Sequence, residues 1–238
     1  DIGEWAEDFE AMPYTLKKRA ITWRSVDSAE KIAMARMGFY AQCTYIDHQM
    51  RLLIGTLREE GLLDSTYIVF TADHGDMLGN HRQWAKPPMF DPAARVPLII
   101  VPPKDAPEAA PPRADERLAA LRDIMPTLLD VCGLEIPETV EGLSLFGDET
   151  RDTVYCEHYE DDRALRMIRD HRYKLIWYPV GNRVHLFDMD EDPKELRDLS
   201  DDPHHADVAE RLKTALADEL YGDDREWMSG GELVGLPD

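Results

Sequence analysis

Apolar positions in the first third of the chain recur at helical spacing. Between Ser28 and Glu60, the residues Phe39, Cys43, Ile46, Met50, Leu53 and Leu57 step by alternating fours and threes, drawing one stripe along a helix. Ser28 can cap its start and Gly61 can end it in a left-handed turn. The period then changes. Thr66-Tyr67-Ile68-Val69-Phe70-Thr71 is β-branched and aromatic with apolar residues on both faces, the pattern of a strand inside a covered sheet. A second such run, Val96 to Val101, ends in Pro102-Pro103, and the Pro- and Ala-rich stretch to Pro112 reads as a surface loop or linker. Helical spacing returns from Asp115 to Cys132 through Leu118, Leu121, Ile124, Leu128 and Val131, with Pro126 set to bend or restart the helix and Gly133 to end it. The opening stretch, Asp1 to Arg24, has scattered Trp, Tyr and Lys and reads as a loop region taken up in mid-protein.

After Asp152 the texture becomes short strand-like runs: Val154 to Tyr159, Ala164 to Arg169, Tyr173 to Tyr178 and Val184 to Phe187. Turn residues such as Pro179-Val180-Gly181-Asn182 separate them, which predicts an antiparallel sheet of hairpins. His204 to Leu220 then predicts a closing helix with Val208, Leu212, Ala215 and Leu216 on one face. No internal repeat is visible. The fold class is therefore α/β, organised as an α/β unit over residues 1–147 and a smaller α+β unit with an antiparallel sheet over 148–238.

Composition narrows the partners. The 27 basic and 48 acidic residues leave a formal charge of −21, a surface that repels nucleic acid and anionic headgroups. Acidic stretches such as Glu157 to Asp162 and Asp188 to Asp202 read as solvated surface. An anionic substrate would demand a local reversal of sign, through a cation and a lysine. Cys43, Cys132 and Cys156 show no CxxC spacing and suggest neither a disulfide framework nor a zinc site. No apolar run approaches the roughly 18 residues of a membrane span, so no membrane partner is expected. A soluble protein is expected, and its compartment is left open, because Asp1 is not a Met and a targeting segment could stand upstream.

Potentially chemical residues are densest just after the first strand-like run: Thr71-Ala72-Asp73-His74-Gly75-Asp76-Met77-Leu78-Gly79-Asn80-His81, followed by Lys86. Ligands of α/β sheets bind at the carboxyl ends of strands, where Asp73 and His74 stand. Asp73 offers hard oxygen, His74 nitrogen, and Gly75 and Gly79 allow close backbone approach. The ammonium of Lys86 suits a sulfate or phosphate oxygen. Each residue also has a plainer role: Asp73 and Asp76 as turn or cap residues, His74 as a structural imidazole, Lys86 as a surface charge.

The run from Thr71 to Gly79, with His81, Trp84, Lys86 and Arg95-Val96-Pro97-Leu98-Ile99-Ile100, closely resembles the second signature region of the sulfatase family, within the alkaline-phosphatase-like superfamily. The likeness extends back to Phe39-Tyr40-Ala41 and Ile46-Asp47, and forward to Asp123-Ile124-Met125-Pro126-Thr127-Leu128-Leu129. Tyr173-Lys174-Leu175-Ile176 and Leu186-Phe187-Asp188-Met189-Asp190-Glu191-Asp192-Pro193 are similar to the family's C-terminal hairpin and Asp-Pro turn. The resemblance implies part of a sulfatase-like mixed sheet covered by helices, and then the smaller C-terminal unit. It places Asp73 and His74 on the family's late metal-binding pair, whose usual ion is calcium, with manganese or magnesium left open by the histidine. Lys86 falls on the lysine that contacts the transferred group, and His81 stands behind it as a supporting catalytic residue.

Family members add an early Asp-Asp pair and a Cys-x-Pro-x-Arg or Ser-x-Pro-x-Arg motif whose first residue becomes formylglycine. Neither is in this chain. The implied function is hydrolysis of a small anionic sulfate monoester, with the N-terminal half of the same enzyme as partner and this chain inactive by itself. A phosphonate monoester or phosphodiester hydrolase of the same superfamily is the alternative enzyme. A non-catalytic binding module is the alternative from another class. In the acidic C-terminal unit, Tyr155, His158 and Tyr178 are candidates to wall the cleft or to mediate oligomer contacts. A half standing alone should leave Thr66 to Phe70 and Val96 to Val101 partly uncovered, which leaves a homo-oligomer open.

Overall fold

The computed structural model describes residues 1–22, 28–86, 89–109, 111 and 114–237. The opening stretch is more ordered than a loop. After a 3-10 turn at Glu4–Ala6, helix α1 spans Tyr14–Thr22, while residues 23–24 lie outside the described ones. Met12, Leu16 and Ala20, spaced by fours, are all buried. A three-member stripe among tyrosines and lysines is too short to stand out as a period, and it is tertiary packing that fixes this helix.

Helix α2 runs Ala29–Glu59, with the Ser28 hydroxyl accepting from the Lys31 N–H and Gly61 at φ +69, as the cap and stop residues implied. None of its residues is buried, and Met34, Met37, Tyr40, Tyr45, Ile46, Leu52 and Leu53 are exposed. Strand β1, Ile68–Thr71, pairs antiparallel with β2, Leu98–Val101, in a two-stranded ladder. Both were expected inside a covered sheet. Within this chain β1 is half-buried throughout and β2 alternates between half-buried and exposed, because no second layer among the described residues covers them. Between the two strands, the short helix α3, Asp91–Ala94, forms with Pro92 in its first turn.

The helix expected over Asp115 to Cys132 is shorter: a 3-10 turn at Leu121–Asp123 leads into α4, Ile124–Val131. The buried carboxylate of Asp123 accepts the N–H groups of Ala120 and Leu143 and the guanidinium of Arg151, which pulls the preceding chain into an extended path. Pro126 lies in the first turn of α4, where a missing N–H costs nothing, and so neither bends nor restarts it. Gly133, at φ +65, closes the helix.

Strands β3 (Val154–His158), β4 (Leu165–Arg169), β5 (Tyr173–Tyr178) and β6 (Arg183–Asp188) form the expected antiparallel meander, in sheet order β3-β4-β5-β6. Helix α5, Ala206–Glu219, covers one face, and the short pair β7 (Met228–Ser229) and β8 (Glu232–Leu233) ends the chain. Strand alternation divides the core in two. Ile168, Leu175, Trp177 and Leu186 pack on Leu212 and Leu216 of α5. On the other face Leu165, Met167, Ile176, Tyr178 and Phe187 pack on Ala6, Met12, Leu16, Met77, Met89, Phe90 and Ala93. This second core joins residues from both sides of position 147. Full burial of each Leu, Ile, Met or Phe among them is worth about 1.5–3 kcal/mol.

His81 and His185 lie in an aromatic cluster with Trp5, Phe90 and Phe187. Burial holds both imidazoles down at about 4. The unfolded chain protonates them near 6.5, so their contribution to stability is complete above about pH 6.5 and is lost as pH falls toward 4. The gap corresponds to roughly 3 kcal/mol for each imidazole. The urea midpoint should therefore fall steeply between pH 6.5 and 4.5, while the proton resonances of both rings stay unmoved above pH 5. Rings titrating near pH 6.5 would contradict the burial.

Candidate functional site

Asp73 and His74 follow β1 directly. The Asp73 Oδ1 accepts the His74 N–H at 2.9 Å, which leaves Oδ2 free, and the Asp73 side chain is 83% exposed. The His74 Nδ1 donates to the Gly75 carbonyl at 2.8 Å, since a carbonyl can only accept. That bond assigns the lone pair of the neutral ring to Nε2, which stands 3.4 Å from Asp73 Oδ2. Two donors at right angles on a calcium-sized ion, with bonds of about 2.3–2.6 Å, are about 3.3–3.7 Å apart. The spacing suits two donors to one cation, and equally an ion pair if the imidazole is charged. Among the described residues no group of three or more His, Cys, Asp or Glu converges to hold a metal, so Asp73 and His74 alone do not complete the six or more ligands that a calcium ion takes.

The backbone around this pair is tightly specified. The Gly75 N–H donates to the Ala93 carbonyl of α3 at 2.8 Å, and a Cβ on Gly75 would lie 2.1 Å from the Pro92 carbonyl oxygen. Only glycine fits there. Asp76 acts as a backbone cap, its Oδ1 accepting the N–H groups of Leu78 and Ala85. Of the non-glycine residues at positive φ, Leu78, His81, Arg82 and Ala85 fall in this one loop. Strain concentrated in this way persists only where the surroundings over-determine it. Two arginines hold the loop from outside: Arg36 of α2 donates to the Leu78 carbonyl and Arg19 of α1 to the Trp84 carbonyl.

His81 is 1% exposed, its Nδ1 accepting the Gly3 N–H at 3.1 Å and its ring lying against Trp5 and Phe90. It ties the start of the chain to the loop. Lys86 is exposed at the loop's end. The half-buried His158, at the end of β3, has a lowered pKa, first through burial and then through the positive charges of Arg19 and Lys86. Tyr178, expected as a cleft wall, is instead fully buried beneath the sheet with its hydroxyl on His185 Nδ1 at 3.1 Å. Tyr155 is half-buried, its hydroxyl on Glu157.

A model of the family described as "Sulfatase" matches residues 11–134, and one described as "N-sulphoglucosamine sulphohydrolase, C-terminal" matches residues 79–221. An arylsulfatase of Clostridium perfringens is 31% identical over 98% of this chain. The chain belongs to the sulfatase family. It covers between about a third and a half of the length of the curated relatives it matches, 49% in the case of that arylsulfatase and 35% for a choline-sulfatase of Rhizobium meliloti. Among solved structures, a 2-O GAG sulfatase superimposes with a TM-score of 0.84 at 23% identity, covering 96% of this chain and 54% of its own, a likeness of fold. A phosphonate monoester hydrolase of Silicibacter pomeroyi follows at 0.79 and 26%, covering 97% of this chain and 50% of its own.

Two features of this chain were beyond reach of the sequence. Arg19 sits in a stretch expected to be loop. The buried group of Lys174, Asp91 and Glu195, described below, depends on three segments meeting. The signal available was a lysine inside the apolar run Tyr173 to Tyr178, on the same side of the strand as Ile176 and Tyr178.

Proposed function

We propose that this chain supplies the late metal pair, Asp73 and His74, and the anion contact, Lys86, of an enzyme that hydrolyses sulfate monoesters. The remaining metal ligands and the nucleophile, expected as a formylglycine, come from polypeptide that carries the motifs absent here. The observation that carries this reading is the approach of His74 Nε2 to Asp73 Oδ2 at 3.4 Å, with the exposed Lys86 at the end of the same loop. The exposed apolar faces of α2 and of the β1–β2 ladder support it, since they suit a covering layer that this chain does not contain.

A divalent cation bound there, calcium on the donor spacing, would supply Lewis-acid polarisation of an ester oxygen and of the nucleophile. Asp73 contributes a full negative charge through Oδ2, and His74 a neutral nitrogen held in one tautomer by Gly75. The Lys86 ammonium offsets charge on the non-bridging oxygens as the ester bond breaks and electrons move to the leaving oxygen. The chain thus stabilises and orients, and leaves attack to the nucleophile.

Phosphonate monoesters are the second reading, favoured by the likeness to the Silicibacter hydrolase. An aryl sulfate, an aryl phosphodiester and an aryl phosphonate monoester should be compared as substrates of the complete enzyme. The sulfate should give the largest kcat/KM. A dominant phosphonate rate would move the assignment to that activity, and no turnover of any of the three would favour a non-catalytic module.

A further inference from the structure

The meander and the metal pair are joined by a buried ionic group. Lys174 of β5 is 1% exposed. Its ammonium donates to Glu195 Oε1 at 2.6 Å, to the Met89 carbonyl at 3.3 Å and to the Asp91 carboxylate. Glu195 is fully buried, is held at φ +58, and its Oε2 accepts the Asp91 N–H at 2.8 Å. Arg169 of β4 also donates to Asp91, at 3.2 Å. Two cations and two carboxylates therefore clamp the first turn of α3 from the sheet side. On its other side the same turn carries the Gly75 peptide: the Ala93 carbonyl takes the Gly75 N–H, and Pro92 leaves no room for a side chain. The Gly75 carbonyl in turn takes the His74 Nδ1–H. The path from the ammonium to the imidazole consists of hydrogen bonds and a close backbone contact without a gap.

We propose that Lys174 is a positioning residue for the metal pair: by clamping α3 it fixes the Gly75 peptide, and so the orientation and tautomer of the His74 ring. This rests on the reading of Asp73 and His74 as ligands. Alternatives to such a clamp would leave a lysine buried in an apolar strand for stability alone, although buried ion pairs are often no more stable than apolar replacements. Removing the ammonium leaves the Asp91 and Glu195 carboxylates facing each other and loosens the turn on which Gly75 rests.

The test compares the complete enzyme in its wild-type form with Lys174→Met, Lys174→Arg and Arg166→Met. Arg166 makes a buried pair with Asp224 on the opposite face of the same sheet, at 2.5 Å, and serves as the control for lost stability. The nitrogen resonances of the His74 ring, read above its titration, should show one protonated Nδ1 in wild type and Arg166→Met. They should move toward averaging of the two nitrogens in Lys174→Met and return in Lys174→Arg. Calcium or manganese affinity, by calorimetry, should fall about 10–100-fold in Lys174→Met, the usual scale for groups that orient a metal ligand, and not in Arg166→Met. If Lys174→Met does not fold, Glu195→Gln weakens the same clamp and should change both readouts in the same direction. An unchanged His74 spectrum in the lysine variant, or an equal change in Arg166→Met, overturns the proposal. A wild-type protein that binds neither ion would count against the metal pair, while the ring spectrum would still decide the positioning role.

Discussion

Asp73→Asn is expected to weaken divalent-cation binding by about 100-fold or more, beyond the 10–100-fold typical of groups one shell further out, and turnover of the complete enzyme should fall with it. The substitution preserves shape and removes charge. Because Oδ1 is committed to the His74 N–H, only Oδ2 is available as a donor, and the neutral amide has no second oxygen to offer in its place. The backbone bond can persist in the variant, so the loop should stay folded and the thermal midpoint should change little for a side chain this exposed. Calorimetry with calcium and with manganese checks the affinity. An affinity equal to wild type would remove Asp73 from the ligand set.

Lys86→Ala should separate rate from metal binding. The lysine is exposed, and among the described residues the loop's shape is set by Asp76, Gly75 and the two arginines. Loss of its charge should lower kcat by about 100- to 1,000-fold, the scale for removing one group that stabilises developing negative charge, with cation affinity unchanged. Lys86→Arg should recover part of the rate, since charge is kept but the point-like ammonium is replaced by a planar fork. Steady-state kinetics of the complete enzyme with an aryl sulfate decides this. Wild-type kinetics in Lys86→Ala would make the lysine a surface charge.

The parts of the fold that were readable from sequence are those set by local period and punctuation. The meander strands, the closing helix and the Ser28 and Gly61 ends of α2 follow from alternation, stripes and caps acting over a few residues. The environment of those elements did not follow. An apolar run such as Val96 to Val101 looks the same whether a second layer covers it or not, and in this chain Ile99 and Val101 remain about half exposed. Likewise α1 is held by Met12 and Leu16 meeting the sheet residues Leu165, Met167 and Ile176, and Asp123 holds the chain before α4 extended through bonds to Ala120 and to the distant Leu143.

The same distinction applies to the site. Asp73 and His74 are neighbours in the chain, so their pairing was visible, as was the ammonium a short loop away. The supporting groups were hidden because they arrive from elsewhere: Arg19 from α1, and Lys174 and Glu195 from segments more than 80 residues beyond α3. His81 shows the converse. A histidine within the motif looked chemical, and the fold spends it on joining residue 3 to the loop while burial keeps it neutral.

The central claim is that Asp73 and His74 grip one cation next to Lys86. Anomalous diffraction from crystals soaked in manganese addresses it directly. A single strong peak within bonding distance of both Asp73 Oδ2 and His74 Nε2, on the side facing Lys86, is the expected result. A map with no peak there at saturating manganese, and the His74 ring instead paired to the Asp73 carboxylate, would contradict it.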